Sequence, residues 1–357
     1  MRALQVFAGA AARRALAQQR LQPQQVVMVP AAAGGPKGLV LTPLDRYMFG
    51  HWLPRGDHEV QLLGASIGAW RMAAACRQDP VAAIEHLCAD YIDQHYPHAP
   101  GRRPTAASVS ERFGATLSRH LAGHEVQILG HPRYRLHVLV SRGRGLLHQE
   151  GRWRTPLGYG LAWLGNLLSR RALGHALERV VLSDPRSPLP LSLDDLRSRR
   201  LDLNRANLQA AVLASCAIPF WLQAVKELPG APPGAYWDGG ITDYHLHLRY
   251  DTLPSGLVLY PHFQSQLVPG WLDKPWRHRH RATPALDRVV VLAPHPEWVA
   301  RLPLGKLPDR SDFQHFGDDL AGRQRAWRRA VAESQRLADE FAAWVDGGLD
   351  LPVQALV

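Results

Sequence analysis

Six short runs, Gln25–Pro30, Val60–Gly64, Leu136–Val140, Arg179–Ser183, Leu257–Tyr260 and Val289–Ala293, carry apolar residues at consecutive rather than alternate positions. A strand of that kind has no face to offer water, so the sheet it joins must be covered on both sides. Helical patterns at Leu39–Phe49, Ile67–Arg77, Pro80–Gln94, Leu203–Ala214 and Ala321–Val345 lie between several of these runs and at the chain's end. The alternation predicts an α/β fold with three layers, α/β/α, around a central, mostly parallel sheet. The 357 residues are 46% hydrophobic, with 30 Gly and 28 Pro spread along the chain, which excludes collagenous, coiled-coil and disordered classes. The length fits one core over residues 1–255, with an N-terminal helix and an insertion at 142–175. Residues 256–357 then form a C-terminal extension packed on the same core.

The formal net charge is +11, and only Lys37, Lys226, Lys274 and Lys306 among the 42 basic residues are lysine. Arginine excess alongside abundant Ala, Gly and Pro is also what a GC-rich genome produces, so nucleic-acid binding is not expected from charge alone. The balance does imply a surface drawn to polyanions, anionic lipid headgroups included. Cys76, Cys88 and Cys216 have neither paired nor metal-ligand spacing, so no disulfide framework and no zinc module is expected and a reducing compartment is the default. The apolar run Ala3–Ala12 could pass for the core of a secretion signal. Arg13 and Arg14 follow it directly, so it is read as a short amphipathic helix, with secretion the alternative. No run reaches the roughly 18 to 20 apolar residues of a membrane span. The expected location is cytoplasmic or peripherally membrane-associated.

Three stretches carry chemistry. Leu62 to Trp70 reads as a strand, then Gly64-Ala65-Ser66-Ile67-Gly68, then a helix. A nucleophile at a sharp strand-to-helix turn needs glycine two residues before and two after, because side chains there would collide. The turn also sets the Ser66 hydroxyl at a helix N-terminus, which favours developing negative charge. Earlier, the first run leads into Ala31-Ala32-Ala33-Gly34-Gly35-Pro36-Lys37-Gly38, where glycines bare the backbone N–H groups that an oxyanion hole requires. A nucleotide-phosphate loop shares this layout, but neither of its glycine patterns is matched. Finally, Tyr236-Trp237-Asp238-Gly239-Gly240 puts a carboxylate at a tight turn.

In this order the three stretches resemble the patatin-like phospholipase family, whose marks are a glycine-rich oxyanion loop ending in Lys/Arg-Gly, a Gly-x-Ser-x-Gly elbow and a later Asp-Gly-Gly. Ala214-Ser215-Cys216-Ala217-Ile218-Pro219 is similar to the segment that precedes the aspartate in that family. The resemblance spans roughly Gln25 to Leu248. It implies a patatin-like core that hydrolyses fatty acyl esters of lipids through a covalent acyl-enzyme. Ser66 would be the nucleophile, Asp238 its partner in a Ser-Asp dyad, and Gly34 and Gly35 the oxyanion donors, with Gly38, Gly64, Gly68, Gly239 and Gly240 as motif glycines. Ala33 stands where the family usually has its first glycine, and Pro36 fixes the backbone before Lys37. No cofactor and no metal is expected. An acyltransferase using the same dyad, a catalytically silent lipid-binding protein and a Ser-His-Asp triad built from one of the 18 histidines stay open.

Lys37 could meet a phosphate headgroup or orient the loop by pairing with a carboxylate. His245 and His247 share one strand face, but no third ligand is spaced to join them in a metal site. Leu157 to Leu168, an apolar and aromatic helix, lies between Arg152-Trp153-Arg154 and Arg170-Arg171. It fits either an interfacial element dipping into lipid, which could serve as a lid over Ser66, or a helix packed on the core. Trp271 to Arg281 is a second basic-aromatic stretch, read as loop charge.

Overall fold

The computed structural model describes residues 1–98 and 103–356. Its strands are β1 (Leu4–Ala8), β2 (Val26–Ala31), β3 (Val60–Ala65), β4 (Tyr134–Gly143), β5 (Leu177–Ser183), β6 (Ser198–Asp202), β7 (Tyr236–Asp238), β8 (Leu257–Pro261), β9 (Val289–Pro294) and β10 (Val353–Ala355). Its helices are α1 (Ala10–Gln18), α2 (Thr42–Tyr47), α3 (Ile67–Ala75), α4 (Pro80–Ile92), α5 (Ala106–Leu121), α6 (Glu125–Leu129), α7 (Arg154–Leu168) and α8 (Leu208–Ser215). After these come α9 (Pro296–Val299), α10 (Ser311–Phe316), α11 (Leu320–Glu333) and α12 (Gln335–Asp346).

One sheet, ordered β10-β1-β9-β8-β2-β3-β4-β5-β6, runs through the molecule, with β7 added to β4. It is mostly parallel, and only the β1/β9, β4/β5 and β4/β7 pairs are antiparallel. Every residue of β3, β5, β8 and β9 is buried, as runs without alternation require. One face of the sheet packs against α2, α3, α4, α8, α11 and α12, including Trp52, Trp70 and Phe341. The other is covered by α7 and by connecting segments that contribute Leu189, Leu246, Tyr250 and Phe263.

Several elements depart from the sequence reading. Ala3–Ala12 is not the start of a helix: Leu4–Ala8 forms β1 between β9 and β10, and the helix begins at Ala10. A run this short takes its structure from the strands that flank it. The helix expected from Leu203 begins at Leu208, because Asn204 and Asn207 bind nearby backbone groups and hold a turn. The pattern at 321–345 breaks into α11 and α12 at Ser334, whose hydroxyl donates to the Val331 carbonyl at 2.7 Å. Leu39–Phe49 is a 3-10 turn, α2 and a π turn in succession.

Candidate functional site

The order of the sheet brings Ser66 and Asp238 together. β3 lies along one flank of β4 as far as the pair Ala65–Leu139. β7 takes over the same flank from the next residue, pairing Asp238 with Val140 in the opposite direction. The end of β3 and the end of β7 therefore meet head-on, and the residues at both ends project into one space. Ser66 Oγ donates to Asp238 Oδ2 at 2.6 Å across 172 residues of chain, with both residues buried.

The elbow depends on its glycines in a way the distances make plain. Ser66 has φ 57° and ψ −130°, a strained conformation costing on the order of 1–3 kcal/mol. A Cβ on Gly68 would fall 1.9 Å from the Ala31 carbonyl oxygen, and one on Gly64 would fall 2.4 Å from the Ala69 Cα. Gly239 is equally tight, 2.1 Å from the Leu139 carbonyl. The strain at Ser66 is held by Ser215, whose hydroxyl accepts from the Ser66 N–H at 2.8 Å and donates to the Leu139 carbonyl at 2.6 Å. Ala217 fixes the other partner, its carbonyl accepting from the Asp238 N–H at 2.9 Å. The sequence had singled out 214–219 without a role for it, and this stretch braces both halves of the pair.

Asp238 Oδ1 accepts from the Gly240 N–H at 2.7 Å. Burial raises the Asp238 carboxyl above its ordinary range, opposed by the Ser66 hydrogen bond, by the charges of Arg310 and Lys274 and by the Gly240 N–H. Among the described residues no histidine makes a hydrogen bond to Ser66 or Asp238, so a triad finds no third member there.

The glycine-rich loop runs past the elbow as a 3-10 turn over Gly35–Leu41, with Gly35 at φ 55°. Gly34 packs under the Phe263 ring, 2.5 Å from where a Cβ would sit. Among the described residues neither the Gly34 nor the Gly35 N–H makes a hydrogen bond outside that turn. Ala33 differs, because its N–H donates to the Tyr244 carbonyl at 3.0 Å. The residue that departs from the family pattern thus has its amide already engaged. Arg71 on α3 clamps Asp45 on α2 through bonds of 2.7 and 2.8 Å, both side chains buried. This pair ties the helix after the loop to the helix after the elbow.

Ser66 opens onto a cavity of about 360 Å³ lined by Ile67, Val109, Phe113, Ile218, Leu222 and Phe313, with Arg310 at its edge. Pockets of this size take small molecules with their apolar part enclosed. A small recess that shares Ser66, Ile218 and Arg310 with it is lined by Asp238, Gly34, Gly240 and Tyr244. Arg310 and Lys274 come from beyond the recognised motifs, Lys274 from the basic-aromatic stretch read as loop charge. Lys37 has no carboxylate within ion-pair distance among the described residues, and its Nζ lies 5.5 Å from the Phe263 ring centroid. His245 and His247 bind Val268 N–H and Thr283 Oγ1, respectively. Among the described residues no three His, Cys, Asp or Glu side chains are placed to share a metal ion.

Fold and site define an α/β protein with a serine-aspartate pair at a strand-to-helix elbow. The family model described as patatin-like phospholipase matches residues 55–245, more than half of the sequence, and the chain belongs to that family. The matched span contains Ser66 and Asp238, while Gly34 and Gly35 lie ahead of it. Family membership carries lipid-ester hydrolysis as the general activity. The crystal structure of VipD from Legionella pneumophila aligns over 95% of this chain and 70% of that one, at 12% identity and a TM-score of 0.35. No curated protein matches the sequence.

Proposed function

We propose that the protein is a lipid acyl hydrolase in which Ser66 and Asp238 act as a dyad. The observation that carries this reading is the 2.6 Å hydrogen bond from Ser66 Oγ to Asp238 Oδ2, with Ser66 in the wall of a largely apolar cavity. Ser66 Oγ attacks the ester carbonyl carbon while Asp238 takes its proton. The oxyanion that forms is met by the N–H groups of Gly34 and Gly35, each such donor being worth about 2.7–4 kcal/mol in the transition state. Collapse breaks the bond to the alcohol, which leaves with the proton held by Asp238. Water then adds to the acyl-enzyme, gives its proton to Asp238, and the fatty acid departs as that proton returns to Ser66 Oγ. The apolar lining of the cavity suits the acyl chain of a phospholipid or related glycerolipid.

A fluorophosphonate probe should label the wild type at Ser66 and leave Ser66→Ala unlabelled. Absence of label on a folded wild type would overturn the reading in favour of a silent lipid-binding protein. Release of free fatty acid separates a hydrolase from an acyltransferase, which would pass the acyl group to an added alcohol.

Contact with a membrane belongs to the same reading. α7 packs inward through Gly158, Tyr159, Ala162 and Asn166, and it exposes Leu157, Leu161, Leu164, Leu167 and Leu168. Globular proteins bury the large face of a helix and leave the small one out, so this inversion fits insertion into lipid. Exposed Arg152, Arg171 and Arg277 border the patch. Trp163 stacks on Trp276 at 6.0 Å, which joins the second basic-aromatic stretch to α7. Tyr159 touches the exposed Phe220 ring beside Trp221, a residue of the cavity wall, so the patch reaches the site's mouth.

A further inference from the structure

Arg310 brings to the site a guanidinium that, among the described residues, makes no hydrogen bond to Ser66 or Asp238. It lines both the cavity next to Ser66 and the recess next to Asp238. A Cβ on Gly35 would lie 3.3 Å from its Nε and 3.4 Å from its Nη2, so the side chain rests against the glycine loop. A guanidinium stays charged at any working pH and offers five N–H donors in a planar fork. Elsewhere in the molecule Arg71, Arg170 and Arg179 hold carboxylates at 2.7, 2.8 and 2.6 Å. Among the described residues no carboxylate lies within ion-pair distance of Arg310. Its neighbour Asp309 is engaged by Lys306 at 2.7 Å and by Ser311.

Two lysines share this surrounding. Lys274 Nζ sits 4.1 Å from the centroid of the Tyr244 ring, and that ring lines the recess. Lys37 lies over Phe263, the ring that packs on Gly34. Desolvation, with the charges of Arg310 and Lys37, pushes the Lys274 ammonium down to about 8, and desolvation lowers Lys37 as well. Arg310 and Lys274 act on Asp238, which is already bonded to Ser66 and Gly240, while Lys37 feels Asp309 on one side and Arg310 on the other, and Asp318 shares the cavity wall with Arg310. Arg310, in the wall of both cavities and without an ion-pair partner among the described residues, is the group that an incoming anion would stabilise, with the two lysines adding positive charge nearby. A tetrahedral oxyanion matches the arginine fork.

Resting on the acyl-hydrolase reading, we infer that Arg310, flanked by Lys274 and Lys37, is an anion subsite that binds a phosphate-class group carried by the ester substrate. The enzyme would then select phosphorylated lipid esters over neutral ones, with Arg310 the main determinant.

Binding to the Ser66→Ala protein tests this without turnover. Monomeric dihexanoyl phosphatidate should bind at least about tenfold more tightly than dihexanoylglycerol, the worth of one charge-assisted hydrogen bond. Adding Arg310→Ala should erase that preference, and Arg310→Lys should restore part of it by returning the charge without the fork. Equal binding of the two lipids to Ser66→Ala, or a preference that survives Arg310→Ala, overturns the inference. Inorganic phosphate distinguishes the source of the anion. If it binds in an Arg310-dependent way while the two lipids bind equally, the site takes free phosphate and the headgroup assignment fails. In the Ser66-intact protein, an equal fall in kcat/KM on neutral and phosphorylated esters upon Arg310→Ala would place Arg310 on the reaction's own oxyanion, which also overturns it. Fluorophosphonate labelling of Ser66 in Arg310→Ala reports folding, and its absence in the wild type would sink the hydrolase reading instead.

Discussion

Ser66 and Asp238 each carry a cost that folding alone would not select. Ser66 holds a backbone conformation that L-residues rarely adopt, and Asp238 is a carboxyl in a dry place. Burial raises the Asp238 pKa above its unfolded value, so the protonated form is the one that folding favours. The stability associated with this group is present below the pKa of a free aspartate and is lost as pH rises through the folded value. Asp238→Asn should therefore unfold at the same temperature as the wild type or higher, while kcat/KM falls by about 10²- to 10⁴-fold. A large drop in melting temperature would mean that the carboxylate holds the structure together. In the proposed mechanism Asp238 is ionised when it takes the proton, so the acid limb of the wild-type kcat/KM profile should lie above the roughly 3.9 of a free aspartate. At this scale the glycines were legible in the sequence, because close approach forbids a side chain at Gly64, Gly68 and Gly239, and they flank the proposed pair Ser66 and Asp238. The engagement of the Ala33 amide and the bracing by Ser215 were not, since each depends on a partner from a remote part of the chain.

At the scale of elements, α7 is the clearest departure from ordinary packing. Its apolar, aromatic composition and flanking arginines were legible, but the direction was not, because composition does not say which residues face core and which face solvent. Here the small face fits against Leu147, which would lie 2.7 Å from a Cβ on Gly158, and Asn166 donates to the buried Asp273 at 2.8 Å. These contacts fix the inward face and leave the leucines outside. Replacing Leu161, Leu164 and Leu168 together by Ser should leave the melting temperature nearly unchanged, as exposed positions do. Binding to phosphatidylglycerol vesicles should fall by at least about tenfold, since even partial burial of each leucine contributes on the order of 1 kcal/mol. Cosedimentation that matches the wild type would remove α7 from the membrane-contact proposal.

Across the whole molecule, buried imidazoles set the response to acid. Desolvation holds His131 down to about 4 and His137 and His262 to about 3, with His245 also well below its ordinary value. Folded values below unfolded ones mean that the unfolded chain binds more protons, so stability is present above about pH 6.5 and is lost as pH falls toward these values. Urea midpoints should decline steadily from pH 7 to pH 4, and His137→Gln should flatten part of that decline. A midpoint independent of pH over this range would contradict the burial of these rings as neutral groups. The chain after residue 255 shares the same scale: β8 lies directly against β2, and β9 joins β8 to β1, so distant segments build one continuous sheet.

What the sequence determined by itself was local. Consecutive apolar residues require strands covered on both faces, and glycines at fixed offsets require turns of one shape, whatever the rest of the chain does. Only the tertiary structure decided which segments share a space. β3 and β7 meet along one flank of β4, α7 turns its leucines outward, and Arg310 arrives beside the glycine loop. Such meetings depend on strand order and side-chain fit between parts of the chain far apart in sequence, and no local pattern encodes them.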